Sequence, residues 1–200
     1  MWYHNKSWRR IKEQTKIIND MDNPIKVTFN TMIKRFYILI IFSLCTVTVT
    51  AQIQRNIFDF TLGVTTKTQV QNYLIRHHYN YSINKNGEYE VRNLIFAGHN
   101  WPSVYFSFYN DKFYCVDFID NESHTPVETL GLVWKRLNSS LNKKYSIYSI
   151  SSKDDYVEFS DNKTNVSLKF RNTLGEKMLS IMYYDIFLLN QMISSEESEL

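Results

Sequence analysis

Apolar residues recur at helical spacing in two separate parts of the chain. In the first part, Val70, Tyr73, Leu74 and His77 follow the i, i+3, i+4, i+7 spacing of one helix face. Thr66 and Gln69 stand before them in the T-x-x-Q form of a capping box, which satisfies free backbone N–H groups at a helix start. The pattern predicts a helix that begins near Thr66.

The second helical pattern begins with the sequence Thr125-Pro126-Val127-Glu128. It combines a T-x-x-E capping box with proline at the first helical position, where the missing N–H costs nothing. An apolar stripe follows, made of Leu130, Val133, Trp134, Leu137 and Leu141. We therefore predict a second amphipathic helix.

Four extended runs follow each predicted helix, separated by Gly, Pro, Asn and Asp. They are residues 80–84, 90–96, 104–110 and 113–119, then 145–151, 156–160, 165–171 and 177–184. In the last four, Val166, Leu168 and Phe170 alternate with polar residues, so one face of the sheet is expected to contact water. Residues 186–193 fit a short helix, and the serine- and glutamate-rich residues 194–200 fit a frayed acidic tail.

These patterns predict an α+β fold made of tandem α-β4 units. Residues 52–193 would form one domain of two similar halves, about 58–120 and 121–185. We expect an antiparallel meander sheet with the helices packed on one face, where they would share one core with the sheet.

An apolar segment near the N-terminus has the features of a secretory signal peptide, which we place at residues 32–51. Two basic residues, Lys34 and Arg35, precede about ten apolar residues, and Val49 and Ala51 form a V-x-A site with cleavage before Gln52. The apolar part is shorter than the roughly 20 residues that a membrane span needs. We expect an exported protein, periplasmic or extracellular.

Several alternatives stay open at this N-terminus. Residues 1–31 are either non-native, with Met32 the true start, or a cytoplasmic extension of the signal. An uncleaved signal would anchor the protein in the inner membrane with its basic residues inside. Lipid attachment at Cys45 is a further alternative, although Leu44 is larger than the residue that a lipobox places before its cysteine.

The charge of the chain does not indicate a nucleic-acid partner. The whole chain has 23 basic and 20 acidic residues, but residues 52–200 hold 15 basic and 17 acidic ones. The basic excess lies in the part that signal cleavage would remove, so it says nothing about the mature protein. Contact with a membrane is expected only through an uncleaved signal segment.

The usual catalytic and metal-binding patterns are missing from the sequence. The adjacent His77 and His78 would diverge by about 100° on a helix, and no H-x-x-x-H, C-x-x-C, P-loop or G-x-G-x-x-G occurs, so we expect no metal and no cofactor. Cys115 lies in a strand-like run and is expected to be buried rather than nucleophilic. Asp117 and Asp120 are the acids in or beside a strand, and the turn acids Asp154 and Asp155 are expected to be solvated.

The aromatic residues are the remaining candidates for a functional surface. Residues 52–200 contain 24 of the 31 Phe, Trp and Tyr residues, and Tyr and Trp favour interfaces when they are exposed. Trp101 stands between Asn100 and Pro102, a setting typical of a loop. The candidate binding patch, for protein or glycan, consists of Trp101, Tyr105, Tyr109 and Tyr114. Folding of Trp101 over the edge of the core is the alternative.

The chain also resembles known envelope proteins over roughly residues 58–185. The sequence GVTTKTQV at 63–70 is similar to the helix entry of the SmpA/BamE-like outer-membrane-assembly lipoproteins, and the doubled helix-plus-strands pattern resembles the β-lactamase-inhibitor-type proteins. The run FAGHNW at 96–101, with VYF at 104–106 and YCVDF at 114–118, resembles exported proteins of Bacteroidota.

The resemblance implies an envelope protein that binds another envelope protein and has no catalytic site. We therefore expect a non-catalytic binding or assembly module, of unspecified oligomeric state. The alternative is a secreted hydrolase acting on glycan or peptide, which would need a deep pocket with two carboxylates or a His–Cys pair.

Overall fold

The apolar faces of the chain pack into one core between a large sheet and its helices. A computed structural model describes residues 52–173 and 175–198. The expected extension 1–31, the expected signal segment 32–51 and Cys45 lie outside the described residues, as do residues 199–200. No helix in the described ranges combines the length and apolar character that crossing a membrane requires.

The described chain forms an α+β fold whose elements follow one another in a regular order. A short hairpin precedes the first helix, each of the first two helices is followed by four strands, and a third helix ends the fold. The strands are β1 (Asn56–Ile57), β2 (Phe60–Thr61), β3 (Tyr81–Ile83), β4 (Tyr89–Phe96), β5 (His99–Tyr109), β6 (Lys112–Asn121), β7 (Ser149–Lys153), β8 (Tyr156–Ser160), β9 (Thr164–Thr173) and β10 (Glu176–Asp185). The helices are α1 (Lys67–Arg76), α2 (Val127–Tyr145) and α3 (Ile186–Ser198), with a 3₁₀ turn at Ser146–Tyr148.

Strands β3 to β10 form one antiparallel sheet in the order β3-β4-β5-β6-β10-β9-β8-β7. The last strands of the two runs, β6 and β10, pair with each other at its centre through seven residue pairs. Because paired residues share a face and neighbours along a strand alternate, the register assigns each side chain to one of two faces. We call them the core face and the open face.

The core face carries apolar residues in rows that cross the whole sheet. One such row runs through Phe106, Val116, Tyr183, Val166 and Phe159, all buried. Helix α2 stacks Trp134 on Phe170, with ring centroids 6.3 Å apart. Helix α1 reaches the same face because its Tyr73 packs on Phe60 of β2, which in turn contacts Phe106.

The two predicted helix starts have different outcomes. The capping box of α1 is confirmed, with Gln69 N–H donating to the Thr66 hydroxyl and Thr66 N–H donating to the Gln69 side chain. The box predicted at Thr125 is wrong, because Pro126 is the N-cap and makes no side-chain cap bond. Thr125 belongs instead to the preceding turn, where its N–H donates to Asn121 O at 3.0 Å.

Most predicted strands are found with ends shifted by a few residues, and residues 156–160 match β8. The run predicted at 145–151 is wrong over its first part, because α2 continues to Tyr145 and a 3₁₀ turn follows. Helix α3 continues to Ser198, into the segment expected to be a frayed tail. The hairpin β1–β2 was not predicted, since two-residue strands leave no periodic signal.

Trp101 does not lie on an exposed loop, contrary to the sequence interpretation. It belongs to β5, is fully buried, and donates its indole N–H to Phe96 O at 3.1 Å. On β4 and β5, Val91 pairs with Val104 and Leu94 pairs with Trp101, and all four are buried. This three-residue spacing on one face breaks strict alternation, and Asn93 between them has a positive φ of 57°.

An ion pair fixes the segment before α1 to the end of the sheet. Arg55 contacts Asp185 and also donates to Leu62 O at 2.6 Å and to Thr164 Oγ1 at 3.1 Å. Gly63 passes so close that a Cβ there would lie 2.5 Å from Asp185 Oδ2, and its φ is +77°. Only glycine meets both conditions without strain.

Replacing either buried tryptophan should destabilise the protein strongly. Trp101 is 0% exposed and Trp134 is 6% exposed, so we expect Trp101→Ala to cost at least as much as Trp134→Ala, about 3–5 kcal/mol each. Urea unfolding of both variants measures the two losses. A Trp101→Ala loss below 1 kcal/mol would contradict the placement of Trp101 in the core.

Candidate functional site

The open face is the broad surface of the sheet opposite α1 and α2. Its central row crosses five strands through Tyr105, Asp117, Met182, Ser167 and Glu158. The flanking rows add Ser107, Cys115, Tyr184 and Asn165 on one side and Ser103, Ile119, Ser180, Lys169 and Tyr156 on the other. Most of these side chains are therefore polar, whereas those of the core row are aromatic or aliphatic.

Several polar side chains of this face are buried. Ser107, Asn165, Ser167 and Ser180 are all at most 7% exposed. Ser107 lies between Tyr105 and Tyr109 along β5, and Ser167 lies between Met182 and Glu158 in the central row. Burial of polar groups is costly unless they are hydrogen-bonded, which makes their partners informative.

Asp117 is the most perturbed acid of the open face. Burial raises the pKa of its carboxyl to about 7; the nearby Lys169 ammonium opposes this rise and the Glu88 carboxylate adds to it. Its Oδ1 is buried and has no hydrogen-bond partner among the residues that the structure describes. This carboxyl therefore changes its charge near neutral pH, and its Oδ1 accepts no hydrogen bond in the described structure.

Asn165 offers a second free acceptor on the same face. Its Nδ2 donates to Glu158 Oε1 at 2.8 Å, and Tyr156 donates its hydroxyl to the other oxygen of Glu158. Because a carboxylate only accepts, the amide must present nitrogen to Glu158 and leave its oxygen free. Asn165 Oδ1 is accordingly buried without a partner in the described part of the chain.

Three of the four predicted binding residues lie on the open face. Tyr105, Ser107 and Tyr109 are every second residue of β5, so all three side chains lie on this side of the sheet. Tyr114 occupies the bulge of β6 near Ser107, and burial raises its pKa to about 12. Trp101 is separated from them, since its ring contacts Phe118 on the core face at a centroid distance of 5.6 Å.

Helix α3 contacts one end of the open face. Tyr109 donates its hydroxyl to Ser195 Oγ at 3.2 Å. Between them lies a pocket of about 420 Å³, lined by Tyr109, Asn110, Phe187, Asn190, Gln191 and Ser194. Tyr109 therefore packs against α3. Tyr105 lies nearer the centre of β5 and forms no side-chain hydrogen bond with α3 in the described structure.

The candidate catalytic groups that the sequence singled out are divided between the two faces. Cys115 is on the open face, and burial raises the pKa of its thiol far above its usual value. His99 pairs with Asp120 at 2.8 Å on the core face, against Trp101. The expected burial of Cys115 is confirmed, and Asp117 and Asp120 project from β6 to opposite sides.

The described residues contain no group of three or more His, Cys, Asp and Glu side chains placed to hold a metal ion. His77 caps the end of α1 and stacks on Tyr73, with ring centroids 4.2 Å apart. His78 follows in a turn with a φ of 57°. The two adjacent histidines thus have separate structural settings.

Comparison with models of known protein families, with curated proteins and with solved structures finds no match to this chain. The geometry of the open face is therefore the basis for any functional assignment.

The sequence interpretation missed Asp117, Asn165 and Glu158 as members of one surface. Alternation within β9 did assign Asn165 to a polar face, but the neighbouring strands are set by pairings distant in sequence.

The raised pKa of Asp117 predicts that stability falls as pH rises. The folded protein holds a proton on Asp117 up to about pH 7, whereas the unfolded chain releases it near the ordinary aspartate pKa of 3.8. Unfolding is therefore favoured increasingly between about pH 4 and pH 7. Asp117→Asn should raise the free energy of unfolding at pH 8 by roughly 2–4 kcal/mol.

Urea unfolding at pH 5 and pH 8 measures this effect, and Asp59→Asn, a charge removal in the β1–β2 turn, is the matched control. The gain of Asp117→Asn should be much smaller at pH 5. An equal gain at both pH values, or an equal gain from Asp59→Asn, would contradict the assignment.

Proposed function

We propose that the chain is an exported, non-catalytic module that binds another protein through the open face. The observation that supports it is the composition of this face, whose central row places Tyr105, Asp117 and Glu158 on one broad sheet surface. A broad surface with flanking tyrosines suits a protein partner, because tyrosine supplies large contact area with a polar end.

The tandem arrangement of two α-β4 units is part of this proposal. The element order supports it, because each of the helices α1 and α2 precedes four antiparallel strands. The sheet order supports it as well, since β6 and β10 are the last strands of their runs and pair antiparallel. Two such units related by a twofold axis between these strands would build one continuous open face.

The separation of the candidate catalytic groups favours binding over the hydrolase alternative. A glycosidase needs two carboxyl groups facing one sugar, yet Asp117 and Asp120, the strand acids that the sequence singled out, lie on opposite sides of the sheet. Glu158 shares the open face with Asp117, but both of its oxygens already accept hydrogen bonds, from Tyr156 and Asn165. A thiol protease needs a histidine beside its cysteine, yet His99 is on the core face and Cys115 on the open face.

Site-specific cross-linking tests the proposed binding face. A photoreactive phenylalanine analogue replaces Tyr105 on the open face, and the control position is Leu132, which is 67% exposed on α2. In the envelope of the native host, we expect one protein adduct from position 105 and none from position 132. Adducts of equal yield at both positions would overturn the proposal.

The captured partner, once purified, should bind the unmodified full chain directly. Tyr105→Ala should then weaken binding by about tenfold or more if this tyrosine lies within the contact. Leu132→Ala should leave the dissociation constant unchanged. Unchanged binding by Tyr105→Ala together with loss of binding by Leu132→Ala would place the interface on the helices instead.

Export with cleavage before Gln52 is the second part of the proposal. The described structure is compatible with it, because Ile53, the second residue after this bond, is buried and its N–H donates to Asp161 Oδ2 at 2.9 Å. N-terminal sequencing of protein from the native host should give Gln52 as the first residue. A start at Met1, or a lipid on Cys45, would overturn this part.

A further inference from the structure

The pocket between α3 and the end of β5 is lined by uncharged side chains. Two of its lining residues are aromatic, three carry carboxamides and one carries a hydroxyl: Tyr109, Phe187, Asn110, Asn190, Gln191 and Ser194. We call this cavity the α3 pocket. Its volume of about 420 Å³ is within the range of small-molecule sites. A charged ligand would meet no opposite charge among these six residues, so the lining favours a neutral one.

The three carboxamides give the α3 pocket both donors and acceptors. Each amide group donates through its nitrogen and accepts through its oxygen. The side chains of Asn110, Asn190 and Gln191 form no hydrogen bond with the other residues that the structure describes, although the Gln191 backbone oxygen lies 3.4 Å from the Tyr109 hydroxyl. A sugar hydroxyl also donates and accepts, so several hydroxyls of one molecule can pair with these amides.

An exposed aromatic ring completes the pocket. Phe187 is 67% exposed although it lies in the first turn of α3. The face of an aromatic ring carries partial negative charge and attracts the weakly positive hydrogens of C–H groups. A pyranose ring presents C–H groups on its faces and hydroxyls around its rim. It can therefore cover the ring of Phe187 while its hydroxyls reach the amides.

Both walls of the pocket are fixed by the fold. On the sheet side, Asn110 and Asp111 form a two-residue hairpin turn with φ of 48° and 60°, and Lys67 N–H donates to Asp111 O at 3.1 Å. On the helix side, Asp185 caps α3 by accepting from Leu188 N–H at 2.9 Å. A site whose walls are already in place loses little freedom when it binds a ligand.

We propose that the α3 pocket is a binding site for a neutral saccharide of one or two sugar units. Asn110, Asn190 and Gln191 bind its hydroxyls, and Phe187 packs on a C–H face of the sugar ring. The site goes beyond the proposed protein-binding function and does not depend on it, because Tyr105 and Asp117 are not among the residues that line this pocket.

NMR titration of the full chain with sugars of different charge tests the α3 pocket. The neutral probes are maltose, cellobiose and N,N′-diacetylchitobiose. Chitobiose, with amines in place of the acetamido groups, is the matched cationic probe, and digalacturonate is the anionic probe. N-acetyl-alanine amide represents a neutral peptide. We expect at least one neutral disaccharide to shift the side-chain amides of Asn110, Asn190 and Gln191, and the other probes to shift none of them.

Phe187→Ala should weaken binding of that disaccharide by about tenfold, because the stacking surface is lost. Leu132→Ala is the matched control, since Leu132 is also 67% exposed but lies on α2, and it should leave the dissociation constant unchanged. Asn190→Asp should give the pocket measurable affinity for chitobiose, because it places a carboxylate in a neutral lining.

If Phe187→Ala fails to fold, Asn190→Asp and the probe series on the unmodified protein still decide. The proposal would be overturned if no neutral disaccharide shifts the three amides, if the charged sugars or the peptide probe shift them equally, or if Leu132→Ala weakens binding as much as Phe187→Ala.

The sugar titration and the cross-linking at position 105 have separate outcomes. Sugar binding without a captured partner would support the α3 pocket and contradict the protein-binding function. A captured partner without sugar binding would do the reverse.

Discussion

The antiparallel pairing of β6 with β10 is the contact on which the rest of the structure depends. It joins the strands β3 to β6 with the strands β7 to β10, and the rows of both faces that pass through residues 115–121 cross it. The core row through Val116 and Tyr183 and the open row through Asp117 and Met182 are continuous only because these two strands are in register. A shift by one residue would exchange the two rows, place Asp117 in the core and expose Val116.

Local sequence signals predicted those elements whose structure is decided locally. The Thr66 capping box and the strand β8 depend on residues within a few positions of each other, and both are found. The Thr125 box failed because the turn from Asn121 uses Thr125 before the helix begins. Trp101 was misplaced because its burial follows from the pairing of β4 with β5 at Leu94, including the unusual backbone of Asn93, and neither is visible in the neighbours of Trp101.

The candidate site was predictable only in part for the same reason. Alternation within β5 is enough to place Tyr105 and Tyr109 on one side of that strand, but it does not reveal that Asp117 lies beside Tyr105 or that Glu158 and Asn165 share the face. The perturbed pKa of Asp117 arises from burial and from charges on other strands, so no property of residues 113–119 alone indicates it. Sequence proximity misled in one further respect, since Asp117 and Asp120 are three residues apart yet face opposite sides.

The strands at the two ends of the sheet have a consequence for the behaviour of the protein in concentrated solution. β3 contains three residues, and β7 contains five with an irregularity between Ser149 and Ser151. An added strand from another molecule could form only a few backbone hydrogen bonds at either edge, and Lys153 places a charge on one of them. Growth into fibrils by strand addition at β3 or β7 is therefore disfavoured. The wide polar surface of the sheet can thus stay accessible without polymerisation through the edge strands.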